Sequence, residues 1–236
     1  MKAFTKFNLL VLSMLCLLFS CQQEEILDVP STDNNVELNT IFKYKGVVYN
    51  YSTSDKAKTL YDELQENPTL ATYVPANGTI EYFDSHEELI KEMERLDKED
   101  MLSPLRSTGP YYKASISILI FHDNINNSGT QGMIYLDRPQ NILSYYYIDW
   151  INGVNWDQKI RSFELGAAAE LVQTREEAYP RPYVTFFDQT NCVGASITFG
   201  VDIDKYMSNM VPRLDKYGWD QKIRSIRMYF SYTDLT

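Results

Sequence analysis

Three cysteines and two histidines are all that the 236 residues contain. His86 and His122 stand at no spacing that a zinc motif uses. Cys16 and Cys21 fall at the N-terminal end, so the body of the chain keeps one thiol, Cys192, and cannot form a disulfide of its own. A small buried thiol is the expected state of Cys192. Cations are scarce as well: 22 Lys and Arg stand against 32 Asp and Glu, a formal charge of −10. With no basic block, a nucleic-acid partner is excluded, because neutralising phosphates takes clustered Lys and Arg. Long apolar runs are missing too. Leu9 to Phe19 is eleven residues, where a membrane-spanning helix takes ~20. No Gly-x-Ser-x-Gly elbow, His-Glu-x-x-His pair or phosphate-binding glycine loop occurs. Carboxylate neighbours such as Glu176-Glu177 read as solvated loop charges. Nothing in the chain requires an enzyme.

What is present begins with Lys2 and Lys6 ahead of that short apolar run, the pattern of a signal peptide. The run ends in Leu18-Phe19-Ser20-Cys21, which resembles the lipobox of bacterial lipoproteins. The resemblance implies a signal peptide over 1–20, cleavage before Cys21, and acylation of Cys21, palmitate included. Gln22, rather than Asp, follows the cysteine. Glu24, Glu25 and Asp28 then form an acidic cluster similar to the surface-export signal of some lipoproteins. The implied location is the outer membrane, lipid-anchored, with the membrane touched through the anchor only. Residues 21–38 read as a polar flexible tether.

Residues 39–100 read as a small α+β unit. Ile41 to Tyr44 and Val47 to Tyr51 flank Lys45-Gly46 as a hairpin. Ser54 caps a helix over Asp55 to Glu66, which Asn67-Pro68 stops. Leu70 to Val74 and Thr79 to Phe83 close around Asn77-Gly78. Ser85 with Glu88 makes a capping box for a helix from His86 to about Lys98. A linker is expected over 101–113, where Pro104, Gly109 and Pro110 gather.

From residue 114 to 236 the pattern is strands and turns, and it is written twice. Trp156-Asp157-Gln158-Lys159-Ile160-Arg161-Ser162 recurs letter for letter as Trp219-Asp220-Gln221-Lys222-Ile223-Arg224-Ser225. Tyr183 to Asp188 matches Ile118 to Asp123, and Gly194 matches Gly129. An internal duplication follows, with units at ~114–168 and ~180–232 of about four strands each. Alternation within the strands predicts one buried and one wet face.

These residues resemble the βγ-crystallin family, whose domain is two consecutive Greek keys packed as a sandwich. Phe187 with Gly194 fits the family's opening hairpin, and His122 with Gly129 fits it less well. Asp157 to Ser162 and Asp220 to Ser225 stand at its closing segments, and Ile226-Arg227 follows the second. The fold class implied is an α+β N-terminal unit followed by an all-β, βγ-crystallin-like double Greek-key sandwich. Independently of the family, Trp156, Trp219, Ile160 and Ile223 are expected in the core, and Ser162 and Ser225 are suited to bonding a hairpin backbone. Packing alone accounts for both heptads.

The resemblance also implies calcium, taken by Asp157, Lys159 and Ser162 with Asp220, Lys222 and Ser225, the lysines through their carbonyls. Calcium takes about 6–8 hard oxygens. The chain departs from the family where Ser or Thr is expected, at Arg161 and Arg224, and a guanidinium offers donors only. The expectation is therefore no cofactor, or calcium held weakly, with Arg161–Asp220 and Arg224–Asp157 ion pairs where the ions would sit.

Tyr145, Tyr146, Tyr147 and Trp150 form the most aromatic stretch. They read as a strand, half of it core, or as a platform for a glycan or protein partner. Three functions are compatible with this reading: a non-catalytic surface lipoprotein presenting the crystallin-like module, a protease inhibitor of the same architecture using the loops Glu176 to Pro182 or Asp204 to Asp215, and a glycan-binding protein.

Overall fold

A computed structural model of the chain describes residues 40–75, 79–102, 111–137, 142–145, 147–173, 181–201 and 208–230. The stretch 1–20, Cys21, the tether 21–38, Asn77-Gly78, Tyr146 and residues 176–180 and 204–207 of the two loops lie outside the described residues. Everything described belongs to one compact unit, residues 37–236. It is mostly β-sheet with two helices.

The first elements follow their local signals. Strands β1 (Ile41–Tyr44) and β2 (Val47–Asn50) pair antiparallel. Lys45 and Gly46 between them both take positive φ, 48° and 79°, as a tight two-residue hairpin turn requires. Helix α1 (Asp55–Gln65) starts where the Ser54 hydroxyl accepts from the Ala57 N–H. Its buried Ala57 and Leu64 meet Phe42, Ile80 and Tyr82. Strands β3 (Ala71–Val74) and β4 (Ile80–Phe83) pair antiparallel, and β4 runs parallel to β1. Helix α2 (His86–Leu102) is capped by Ser85, whose hydroxyl accepts from the Glu88 N–H. The Glu88 carboxylate reaches one residue further back than the capping box predicts, accepting from the Asp84 N–H.

The duplicated part holds β5 (Tyr111–His122), β6 (Gln131–Asp137), β7 (Ile142–Tyr145) and β8 (Ser162–Val172), then β9 (Pro182–Phe187), β10 (Ser196–Gly200), β11 (Ser208–Val211) and β12 (Ser225–Phe230). In each unit the fourth strand returns beside the first, giving β6-β5-β8 and β10-β9-β12. The third strand of each unit leaves its own sheet for the other: β7 pairs with β12, and β11 with β8. Two Greek keys that exchange one strand are a crystallin-like sandwich. Phe163, Phe186 and Phe199 meet edge to face between the sheets, at centroid distances of 4.8–6.3 Å.

The structure corrects the domain boundary. Residues 39–100 do not form a separate unit, because β3 pairs in parallel with β10 and makes one eight-stranded sheet, β2-β1-β4-β3-β10-β9-β12-β7. The linker expected over 101–113 also shrinks, since α2 runs to Leu102 and β5 opens at Tyr111.

A second correction concerns the wet face. The four-stranded sheet obeys the prediction, with β6 alternating exposed and buried. In the larger sheet β9 and β10 are buried at every residue. The cause is α2, whose Leu89 and Met93 pack on Ala71, Tyr183 and Tyr229 and close the outer face. The polar letters there pair with each other: Thr185 Oγ1 lies 2.8 Å from Thr198 Oγ1 and 3.3 Å from the Tyr229 hydroxyl.

Candidate functional site

The two closing heptads precede β8 and β12 and face each other about a local two-fold. Trp156 and Ile160 are fully buried, as are Ile223 and, nearly, Trp219. Each heptad then turns sharply, with Gln158 and Gln221 both at φ 56°. The turns hand their backbones to one another: the Gln158 N–H donates to the Ile223 carbonyl (2.9 Å) and the Gln221 N–H to the Ile160 carbonyl (3.4 Å). Side chains repeat that reciprocity. Arg161 places Nε 2.9 Å from Asp220 Oδ1 and Nη2 3.2 Å from Oδ2. Arg224 places Nε 3.1 Å from Asp157 Oδ1 and Nη2 3.4 Å from Oδ2. Both contacts are two-pronged, so the planar guanidinium fixes the carboxylate's orientation as well as its distance. About a third of each side chain stays exposed. Such pairs contribute more to geometry than to stability.

The two ends are not identical. Beside the first pair, Arg213 holds Asp215 through two bonds, Nε at 3.1 Å and Nη2 at 2.5 Å. That bond, and the Arg161 charge nearby, keep the Asp215 carboxyl below the usual range. No periodicity or repeat in the sequence marks Arg213 and Asp215, because the second copy alone carries them.

The serines do a different job. Ser162 Oγ donates to the Asn124 carbonyl (2.6 Å) and accepts from the Asn127 N–H (3.1 Å). Ser225 Oγ donates to the Gln189 carbonyl (2.6 Å) and accepts from the Cys192 N–H (3.0 Å). Each hydroxyl thereby clamps the folded hairpin of its own unit. Gly129 and Gly194 make those hairpins possible, at φ 87° and 85°. A Cβ on either would stand 2.2–2.3 Å from an Asp123 or Asp188 carboxylate oxygen. Because both serines are fully buried, Ser162→Ala and Ser225→Ala should each cost about 1–3 kcal/mol through the groups left unpaired. Urea denaturation measures this, and a loss below about 0.5 kcal/mol would remove the clamp as a structural device.

Of the donors that the calcium expectation names, each end's carboxylate is already engaged by a guanidinium and the serine hydroxyls are spent on the hairpins, so those side chains do not fit an ion without giving up these bonds. Among the described residues no group of three or more His, Cys, Asp or Glu is placed to hold a metal. Cys192 is buried, and burial pushes its thiol up, away from nucleophilic use.

The aromatic stretch is divided. The strand read from Tyr145 to Trp150 ends at Tyr145, which packs on the core. Ile148 is buried, whereas Tyr147 and Trp150 point to solvent. Tyr146 lies outside the described residues. Two other concavities stand apart from the heptads. A cavity of about 30 Å³ among Tyr51, Tyr61, Tyr82 and Tyr217 has room for a water or two. An open groove beside α2 is walled by charges that are already paired, Lys43 with Glu81 and Arg95 with Glu92.

No family model matches the chain, and no curated protein matches it. Among the solved structures similar to it are two of one bacterial domain. One is a βγ-crystallin domain from Clostridium beijerinckii, at 18% identity over 50% of this chain and 98% of that one, with a TM-score of 0.29. The other is a point mutant of the same domain, at 17% identity over 48% of this chain and 97% of that one, also with a TM-score of 0.29.

Proposed function

We propose that this chain is a non-catalytic lipoprotein of the outer membrane, acylated at Cys21 and tethered through 21–38. It presents a βγ-crystallin-like module that closes without calcium. The observation that carries the reading is the reciprocal pair of ion contacts, Arg161–Asp220 and Arg224–Asp157. Each guanidinium puts a permanent cation beside the carboxylate that a calcium ion would need, and like charges oppose one another at that range. The body is therefore closed at all calcium concentrations and serves as a rigid display unit rather than a calcium-dependent one.

Calorimetry and thermal melts on the full-length chain test this. Melting should be the same within about 1 °C in EDTA and in millimolar calcium. The double variant Arg161→Ser, Arg224→Ser should melt roughly 2–6 °C lower in EDTA and should regain part of that loss with calcium. A wild-type chain that calcium stabilises by several degrees, through an effect lost in Asp157→Asn, would sink the proposal. The anchor is tested separately by Cys21→Ala, which should move the protein from the membrane fraction to the soluble one.

A further inference from the structure

The outer face of the four-stranded sheet, β11-β8-β5-β6, has a counterpart inside the same molecule. Strand register sets the two faces side by side. In the larger sheet one outer row reads Thr198, Thr185, Arg227, Ser144. The matching row of the smaller sheet reads Met133, Ile120, Glu164, Met210. The next rows are Gly200, Tyr183, Tyr229 against Tyr135, Ile118, Gly166. In these matched rows the covered sheet is the more polar of the two, and α2 seats its Leu89 and Met93 on Ala71, Tyr183 and Tyr229. The face that no described residue covers carries the aliphatic and thioether side chains, with Tyr135 61%, Met210 58% and Met133 47% exposed. Four strands and two rows make a patch on the order of 300 Å², the size at which exposed apolar surface marks a contact site. Leaving an apolar face of this size in water is unfavourable for an isolated chain.

The molecule also shows what such a face takes. On the covered sheet the occupant is an amphipathic helix, α2, lying with Leu89 and Met93 downward. That helix has seven acidic and three basic side chains, and the sheet beneath it carries Arg227. In the uncovered face Glu164 stands at the position of Arg227, with Asp137 and Glu170 at the margins and Lys113 as the one nearby cation in the register. The sign is reversed. Along β8 the outward positions beyond Glu164 are the small Gly166 and Ala168, beside Ile118 and Ile116 of β5, so side chains are shortest along that line.

We propose that the outer face of β11-β8-β5-β6 docks an amphipathic helix of a partner protein, with an apolar ridge over Ile118 and Tyr135 and basic residues facing Glu164. It shares no residue with the ion pairs of the closing segments, so either reading can fail alone.

Two synthetic 18-residue helical peptides test this against the full-length chain by calorimetry. Both carry Leu at i, i+3, i+4 and i+7 spacing. One has Lys at the flanking positions and the other Glu. The Lys peptide should bind at least about tenfold tighter, and the gap should close or invert with Glu164→Lys. Met133→Ser combined with Tyr135→Ser, both exposed and safe for folding, should weaken the Lys peptide about tenfold while leaving the melting curve in place. Equal or absent binding of the two peptides overturns the proposal, as does binding that ignores these substitutions. Two further results overturn it by naming another occupant. One is a dimer in sedimentation that the Ser variant dissolves. The other is flotation with phosphatidylethanolamine–phosphatidylglycerol vesicles, by a Cys21→Ala chain, that the Ser variant abolishes.

Discussion

Truncating Trp156 to Ala should lower the unfolding free energy by about 3–5 kcal/mol, the range for removing a large aromatic from a core that cannot collapse onto the space. The ring is fully buried, and its Nε1–H donates to the Ile151 carbonyl at 3.2 Å. Its edge meets Phe121 at 4.7 Å and 88°. Collapse is hindered because the neighbours are fitted to that ring. A Cβ on Gly132 would lie 2.2 Å from Phe121 and 2.9 Å from Trp156. The substitution also removes one of the two donors to the Ile151 carbonyl, which keeps the Val154 N–H at 3.1 Å. Trp219, its twin in the second heptad, is 7% exposed and should cost less. Chemical denaturation of both variants compares one residue type at two equivalent sites in the same molecule. Equal losses, or a loss at Trp156 under about 1.5 kcal/mol, would refute this account of the first heptad as the tighter anchor.

Acid should loosen α2 through His86. Both ring nitrogens are buried without a hydrogen-bond partner, and the ring stands edge-on to Phe187 at 5.1 Å. Burial, and then the Arg227 charge, pull its pKa from 6.5 down to about 4. The unfolded chain takes a proton near 6.5 and the folded one only near 4, so the native state holds fewer protons between those values. The destabilisation is therefore nil above pH 6.5, grows as the pH falls, and is complete below 4. The full loss is about 3 kcal/mol, since each tenfold difference in proton affinity between the folded and unfolded chain is worth about 1.4 kcal/mol. His86→Phe keeps a ring against Phe187 and removes the proton. The stability difference between wild type and variant, followed from pH 7 to 4, should change by that amount, with the wild type losing ground. Parallel curves would show that the imidazole is solvated and that something else governs acid sensitivity.

The heptads were legible in the sequence because a duplication names both partners of a contact at once. Once Asp157 and Arg161 each have a copy, the cross-pairing with Arg224 and Asp220 needs only the assumption that the two halves face each other. Ser162 and Ser225 were legible for a similar reason: a short hydroxyl at the foot of a strand has a hairpin backbone within reach. The cover over the larger sheet was not legible. The alternation predicted a wet face, whereas the helix laid over Thr185, Thr198 and Tyr229 shuts water out, and their hydroxyls, set together by the strand register, pair with one another. Nor did anything local announce that β3 would join β10. Parallel pairing between distant strands has no turn to mark it, so a boundary drawn at the Pro and Gly around residues 104–110 assigned β3 and β10, neighbours in one sheet, to two domains.

That parallel pairing bears on the order in which the protein is made. Strand β3 emerges early, and its partner β10 is more than half the chain further on. At a synthesis rate of ~5–20 residues per second, β3 waits several seconds or more with an unsatisfied edge. The helix over it waits too, since Tyr183 and Tyr229 complete its seat. A nascent chain thus carries an open β-edge until its second half arrives. Fragments that stop before residue 196 should be the ones that chaperones retain and that aggregate when released.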